Sequence, residues 1–191
     1  WEGNEPHDSS KLTYRQLHLR VCRFANALKG LGITKGDRVC LYMQMIPELV
    51  VSMLACARIG AVHSIVFGAF TADSLVTRIN DSACKAIITQ NTGVRGAKQD
   101  IAMKANADKA IEQTPSIEKI LVVKRTDSPV EMVDGRAPRN GSPGAVDQLL
   151  LRLTPLRVDD REGVEHLDLA YLSQGLEELT GGAHGAGHQA A

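Results

Sequence analysis

An α/β fold, with a layered and mainly parallel sheet and flanking helices, is what this sequence predicts. Three observations predict it. Residues 36–70 spell strand, helix, strand, with Gly36-Asp37 before the first apolar run, Pro47 at a helix start, and Gly60 ahead of a second β-branched run. Two further short apolar runs, residues 85–89 and 119–124, alternate with segments of helical periodicity. Crossovers of this length join buried runs that pair in parallel, with helices covering the sheet.

Taken in order, Thr13 and Gln16 form a capping box for a first helix, whose apolar side is Leu17, Val21, Phe24, Leu28 and Leu31. Gly30 and Gly32 close it. The βαβ unit follows. Thr71 caps a helix carrying Leu75, Val76 and Ile79, and residues 85–89 give a third strand. Residues 90–98 read as a polar connection and residues 99–113 as a helix stopped by Thr114-Pro115, before the fourth strand at 119–124. Beyond Arg125, Pro129, Gly135, Pro138, Gly141, Pro143 and Gly144 fall too densely for regular structure. The expected organisation is one α/β domain over residues 1–135 and a Pro/Gly-rich, largely disordered tail over 136–191. Short helices within the tail are expected at 148–153 and 166–179.

Composition bounds the function. The 191 residues are 43% hydrophobic and 23% charged, and 22 Lys plus Arg balance 22 Asp plus Glu. No global charge argues for nucleic acid or an acidic membrane, so any anion site is local. The most apolar stretch, residues 49–67, is interrupted by Arg58, Gly60 and His63 and reads as core rather than a membrane span. Cys22, Cys40, Cys56 and Cys84 show no paired spacing and read as free thiols, which places the chain in the cytoplasm or an organelle matrix. A start at Trp1 rather than Met is compatible with a removed targeting segment.

Met45-Ile-Pro-Glu-Leu, Leu54-Ala-Cys-Ala-Arg-Ile-Gly-Ala-Val-His-Ser and Val66-Phe-Gly-Ala-Phe are joined by Leu12-Thr-Tyr-Arg-Gln-Leu, Val21-Cys-Arg-Phe-Ala-Asn-Ala-Leu, Arg78-Ile-Asn-Asp and Val122-Val-Lys-Arg-Thr. In this order they resemble the AMP-forming acetyl-CoA synthetases, of the acyl-adenylate-forming superfamily, from Trp1 to about Gly135. The resemblance implies part of the large N-terminal domain of such enzymes. It also implies the parent reaction, acetate, ATP and CoA giving acetyl-CoA, AMP and pyrophosphate through acetyl-AMP. The family's Trp-rich segment and its Ser/Thr/Gly-rich phosphate loop, expected after Gly135, are not found. This chain is therefore expected to be an inactive fragment, without the phosphate loop, the Mg-dependent ATP chemistry or the catalytic lysine domain. No catalytic residue is assigned.

What the resemblance carries over is part of a CoA-binding surface: Phe67, Gly68 and Ala69 after the second strand, and the turn Arg95, Gly96, Ala97 and Lys98. A small residue admits close approach of a ligand, Arg95 offers a fork for phosphate oxygens, and Lys98 a point charge. Ala69 stands where the family more often has Gly. The competing reading is a strand end and a solvated basic turn. His63 reads as a packing histidine. Met43, Met45 and Met53 read as core fillers. His184 and His188 lie in too Gly-rich a setting for a helical metal pair, so no metal site is assigned. The expected partner is small-molecule CoA, with association with missing parts of the parent enzyme. The alternative function is a non-catalytic binding or interaction module from a truncated product.

Overall fold

A computed structural model describes residues 11–95, 98–132 and 147–151. Its elements follow in chain order as α1 (Tyr14–Gly30), β1 (Arg38–Met43), α2 (Pro47–Ile59), β2 (Val62–Phe67), α3 (Ala72–Ser82), β3 (Ala86–Gln90), β4 (Gly93–Arg95), β5 (Lys98–Ile101), α4 (Met103–Ile111), β6 (Lys119–Val123) and β7 (Asp147–Leu151).

Local chemistry sets the ends of the first elements. Thr13 Oγ1 accepts from the Gln16 amide at 3.2 Å while Gln16 Oε1 accepts from the Thr13 amide at 2.9 Å, closing the expected capping box on α1. Pro47 opens α2, and Gly60 ends it at φ 76°, a left-handed conformation that strains any side-chain-bearing residue. Thr71 holds the N-cap position of α3, but its hydroxyl reaches Ser74 Oγ at 3.4 Å rather than a backbone amide.

The main sheet has the order β2-β1-β3-β6-β7, and each neighbouring pair is parallel. Alternation along β1 divides the core. Val39, Leu41 and Met43 join the buried residues of α1 and α2, whereas Cys40 and Tyr42 join those of α3 and α4. Helices therefore cover both faces, as expected of a parallel sheet. Removing a fully buried side chain such as Leu41 or Ile88 costs on the order of 2–5 kcal/mol. Strand β2 is different: Val62, Ile65 and Phe67 are exposed along an edge with no charge and no proline.

Cys40, Cys56 and Cys84 are buried and all four cysteines are free. Burial raises the Cys40 and Cys84 thiols above the ordinary range and pushes Cys56 up to about 11. These thiols are packing groups. Among the described residues no helix is long and apolar enough to cross a membrane.

Three expectations need correction. The connection at 90–98 and the first turn of the helix expected at 99–113 are an antiparallel hairpin, β4–β5, with α4 confined to Met103–Ile111. Polar composition hid the hairpin, because its strands are only three and four residues long. The helix expected at 148–153 is replaced over Asp147–Leu151 by β7, which pairs with β6 from Lys119↔Asp147 to Val123↔Leu151. A short apolar run such as Leu149-Leu150-Leu151 suits helix or strand, and the open edge of β6 selects strand. Five residues placed in the tail thus pair with the sheet. The helix expected at 166–179 lies outside the described residues.

Candidate functional site

Strand order locates the place where a site can form. From β1 the chain crosses first to β2 on one side and then to β3 on the other, so the direction of winding reverses between β1 and β3. In open α/β sheets ligands bind outside the carboxyl ends of strands at such a point. Here Gln44 follows β1 and Gln90 ends β3. The Gln44 amide N–H donates to Gln90 Oε1 at 2.9 Å, and Gln90 Nε2 donates to Gln44 Oε1 at 3.1 Å and to the Thr92 carbonyl at 2.9 Å. The chain's own side-chain amides occupy the reversal.

At the carboxyl end of β2, Phe67, Gly68 and Ala69 form a turn closed by the Phe70 amide donating to the Phe67 carbonyl at 3.0 Å. Tyr42, fully buried, donates its hydroxyl to the Phe70 carbonyl at 2.7 Å and accepts from Asn106 Nδ2 at 3.4 Å. Burial raises the Tyr42 hydroxyl above the ordinary phenol range against the lowering contact from Asn106, so it remains a donor. The turn presents an aromatic surface. Phe67 is 57% exposed and packs edge-on against Phe70, with centroids 6.5 Å apart, while the Arg78 guanidinium sits 4.7 Å from the Phe70 centroid.

Gly68 is crowded by side chains rather than held by backbone angle. A Cβ there would lie 2.8 Å from Met103 Cε and 3.1 Å from Gln44 Cγ. Among the described non-glycine residues the positive φ belongs to Ala83, so Ala69 sits in a conformation that alanine adopts freely. The departure from glycine at 69 therefore leaves the turn intact.

The second group of expected residues lies on the hairpin. Arg95 ends β4 with its side chain exposed, and its Cα partner across the antiparallel pair is Lys98 of β5. Gly96 and Ala97 lie outside the described residues. Gln44 connects the hairpin to the sheet: Nε2 donates to the Val94 carbonyl at 3.0 Å and Oε1 accepts from the Val94 amide at 3.0 Å. One side chain thus touches Gly68 and holds Val94, joining the two groups that the sequence singled out.

Sequence reasoning missed the side chains that support this end of the sheet. Asn91, buried, accepts from the Arg125 and Thr126 amides at 2.8 and 3.2 Å and donates to the Thr126 hydroxyl and the Thr126 and Ser128 carbonyls at 3.0–3.1 Å. Gln44, Tyr42 and Asn106 act similarly. A polar residue at the last position of an apolar run is the available signal, and Gln44, Gln90 and Asn91 all carry it. Lys104 is close in sequence, but its ammonium is buried and held by both Asp108 carboxylate oxygens at 2.7 and 2.8 Å, which satisfies its charge internally. His63 lies half-buried on the β2 edge. Among the described residues no three His, Cys, Asp or Glu gather to hold a metal, and His184 and His188 lie outside them.

A family model for the AMP-binding enzymes matches residues 4–173, beyond the residues near Gly135 where the resemblance was expected to end. The acetyl-coenzyme A synthetase of Nostoc linckia is 47% identical over 185 residues, covering 90% of this chain and 55% of that protein. That of Rubrobacter xylanophilus is 58% identical over 136 residues, covering 71% of this chain and 21% of that protein. Among solved structures, the acetoacetyl-CoA synthetase of Streptomyces lividans superposes with a TM-score of 0.59 at 26% identity, over 66% of this chain and 19% of that one. The chain spans about a fifth to about half the length of these relatives. With most of its residues matched by the family model and a parallel, two-layer-covered sheet that matches an adenylate-forming structure, the chain belongs to the AMP-binding enzyme family.

Proposed function

We propose that this chain carries part of the CoA-binding surface of an AMP-forming acetate–CoA ligase and does not itself complete the reaction. The observation that supports this reading is the meeting of the Phe67–Phe70 turn and the Arg95 hairpin at the carboxyl end of the sheet, through Gln44. Phe67 offers a stacking face for a nucleotide base, Gly68 a wall without a side chain, and Arg95 with Lys98 positive charge for phosphates. CoA titration into the 191-residue chain tests it: binding should be weak, should fall as salt rises, and should drop about 3-fold in Arg95→Ala, because an exposed charge contributes little in water. Equal CoA affinity in wild type and Arg95→Ala would overturn the reading.

The groups that act on ATP are expected elsewhere in the longer relatives. In such enzymes Mg²⁺ offsets phosphate charge when bound. The chain alone should give no acetate-dependent exchange of pyrophosphate into ATP. Exchange above a no-protein control that survives repurification would show that the adenylating groups are here.

A second reading, a non-catalytic module that associates with the remainder of such an enzyme, is favoured by the exposed, uncharged β2 edge. Mixing the chain with the complementary part of an acetyl-CoA synthetase should restore exchange, and restoration should be lost in Ile65→Lys. A compartment that keeps thiols reduced, the cytoplasm or an organelle matrix, suits the free cysteines under either reading.

A further inference from the structure

We infer that Gln44 is a positioning residue for CoA: its side-chain amide fixes the Arg95 hairpin against the Gly68 turn, so that both reach one ligand. The inference rests on the CoA reading above. Strands β4 and β5 form a two-stranded sheet separate from the five-stranded one, and a hairpin of this size has little stability alone. Its attachment therefore depends on side chains. Gln44 presents to Val94 the same donor and acceptor pair that a neighbouring strand would, at 3.0 Å in both directions. The third bond, from Gln90 Nε2 to Gln44 Oε1 at 3.1 Å, orients the amide. A flipped amide would set N–H groups against the Val94 and Gln90 donors and an oxygen against the Val94 carbonyl.

Two glycines make room for this side chain. A Cβ on Gly93 would stand 2.9 Å from Gln44 Oε1, and one on Gly68 would stand 3.1 Å from Gln44 Cγ. The side chain runs between them, with Met103 beside it at Gly68. Gln44 keeps its amide bonded within the protein and offers Arg95 a fixed base. With the amide removed, the hairpin would have to be ordered when CoA binds, and that ordering subtracts from affinity.

The experiment is a double-mutant cycle in the 191-residue chain, with CoA as the probe, using wild type, Arg95→Ala, Gln44→Leu and the double variant. Hydrogen exchange at the Val94 amide is followed alongside. Gln44→Leu retains bulk without the hydrogen bonds, and Gln44→Met serves if the leucine variant does not fold. Expected are an about 3-fold loss on Arg95→Ala in wild type, almost none in the Gln44→Leu background, and faster Val94 exchange in Gln44→Leu with the β3 amides unchanged. The same Arg95→Ala loss in both backgrounds would overturn the positioning role while leaving the CoA reading standing. Unchanged Val94 exchange would overturn the clamp itself. No Arg95→Ala effect in wild type would remove the CoA reading and this inference with it.

Discussion

The two ends of the main sheet are built by different means. At the amino end the chain turns through glycines with positive φ, Gly32, Gly36 and Gly60, and adds few long-range side-chain bonds: Lys85 to Asp37 at 3.1 Å and to the Gly32 carbonyl at 2.9 Å, and Arg38 to the Ala83 carbonyl at 3.3–3.4 Å. At the carboxyl end, the side-chain amides of Gln44 and Asn91 satisfy backbone groups that arrive from β4 and from the segment after β6, and that of Gln90 satisfies the Gln44 amide and the Thr92 carbonyl. Backbone conformation makes the first end, and side-chain hydrogen bonding makes the second. The second can present a varied surface, because its loops are held by chosen side chains rather than by a turn type.

Substitutions at the two ends sharpen this contrast. The largest effect is expected at Asn91, where alanine leaves two amides and two carbonyls of the 125–128 segment without their partner. Asn91→Ala should cost about 3 kcal/mol in urea unfolding, and a loss below about 1 kcal/mol would show that water replaces the amide readily. Gly60→Ala, at the opposite end, should cost about 1–2 kcal/mol, because φ is 76° and the new Cβ meets Lys35 Cγ at 2.9 Å. A neutral outcome would mean that the α2 cap relaxes.

The smallest effect is expected at Asp37. Its partial burial acts to raise its pKa, but the Thr34 amide, the Lys85 ammonium and the Thr34 hydroxyl together hold it below the ordinary carboxylate range. Its stabilisation is therefore fully present above the unfolded carboxylate value and is lost as pH falls through the lower folded value. Asp37→Asn should cost about 0.5 kcal/mol at neutral pH and nothing once the wild-type carboxyl is protonated. An Asp37→Asn cost that stays the same as pH is lowered from 7 through the carboxylate range would contradict this.

The contrast also explains how far the sequence could be read. Pro47, Gly60, the Thr13 box and the β-branched runs act on neighbours within a few residues, so they mark α1, β1, α2 and β2 without knowledge of the fold. Phe67, Gly68 and Arg95 were singled out through the family resemblance, which rests on short runs of contiguous residues. Gln44 was not, since its partners lie 46 and 50 positions away and become neighbours only after β3 has paired with β1. Strand β7 was hidden for the same reason. Its identity comes from the free edge of β6, which no local pattern at 147–151 records.

Strand order also bears on the time course of folding. Once β1 and β2 have paired, from Arg38↔Val62 to Met43↔Phe67, each later main-sheet strand among the described residues adds on the other side of β1, in the order β3, β6, β7. A chain emerging from the ribosome can thus build its sheet by accretion in a single direction, with no strand inserted between two that have already met. Pulse-labelled exchange during refolding should find β1 and β3 amides protected no later than those of β6. Protection arriving first in β6 would reverse this order.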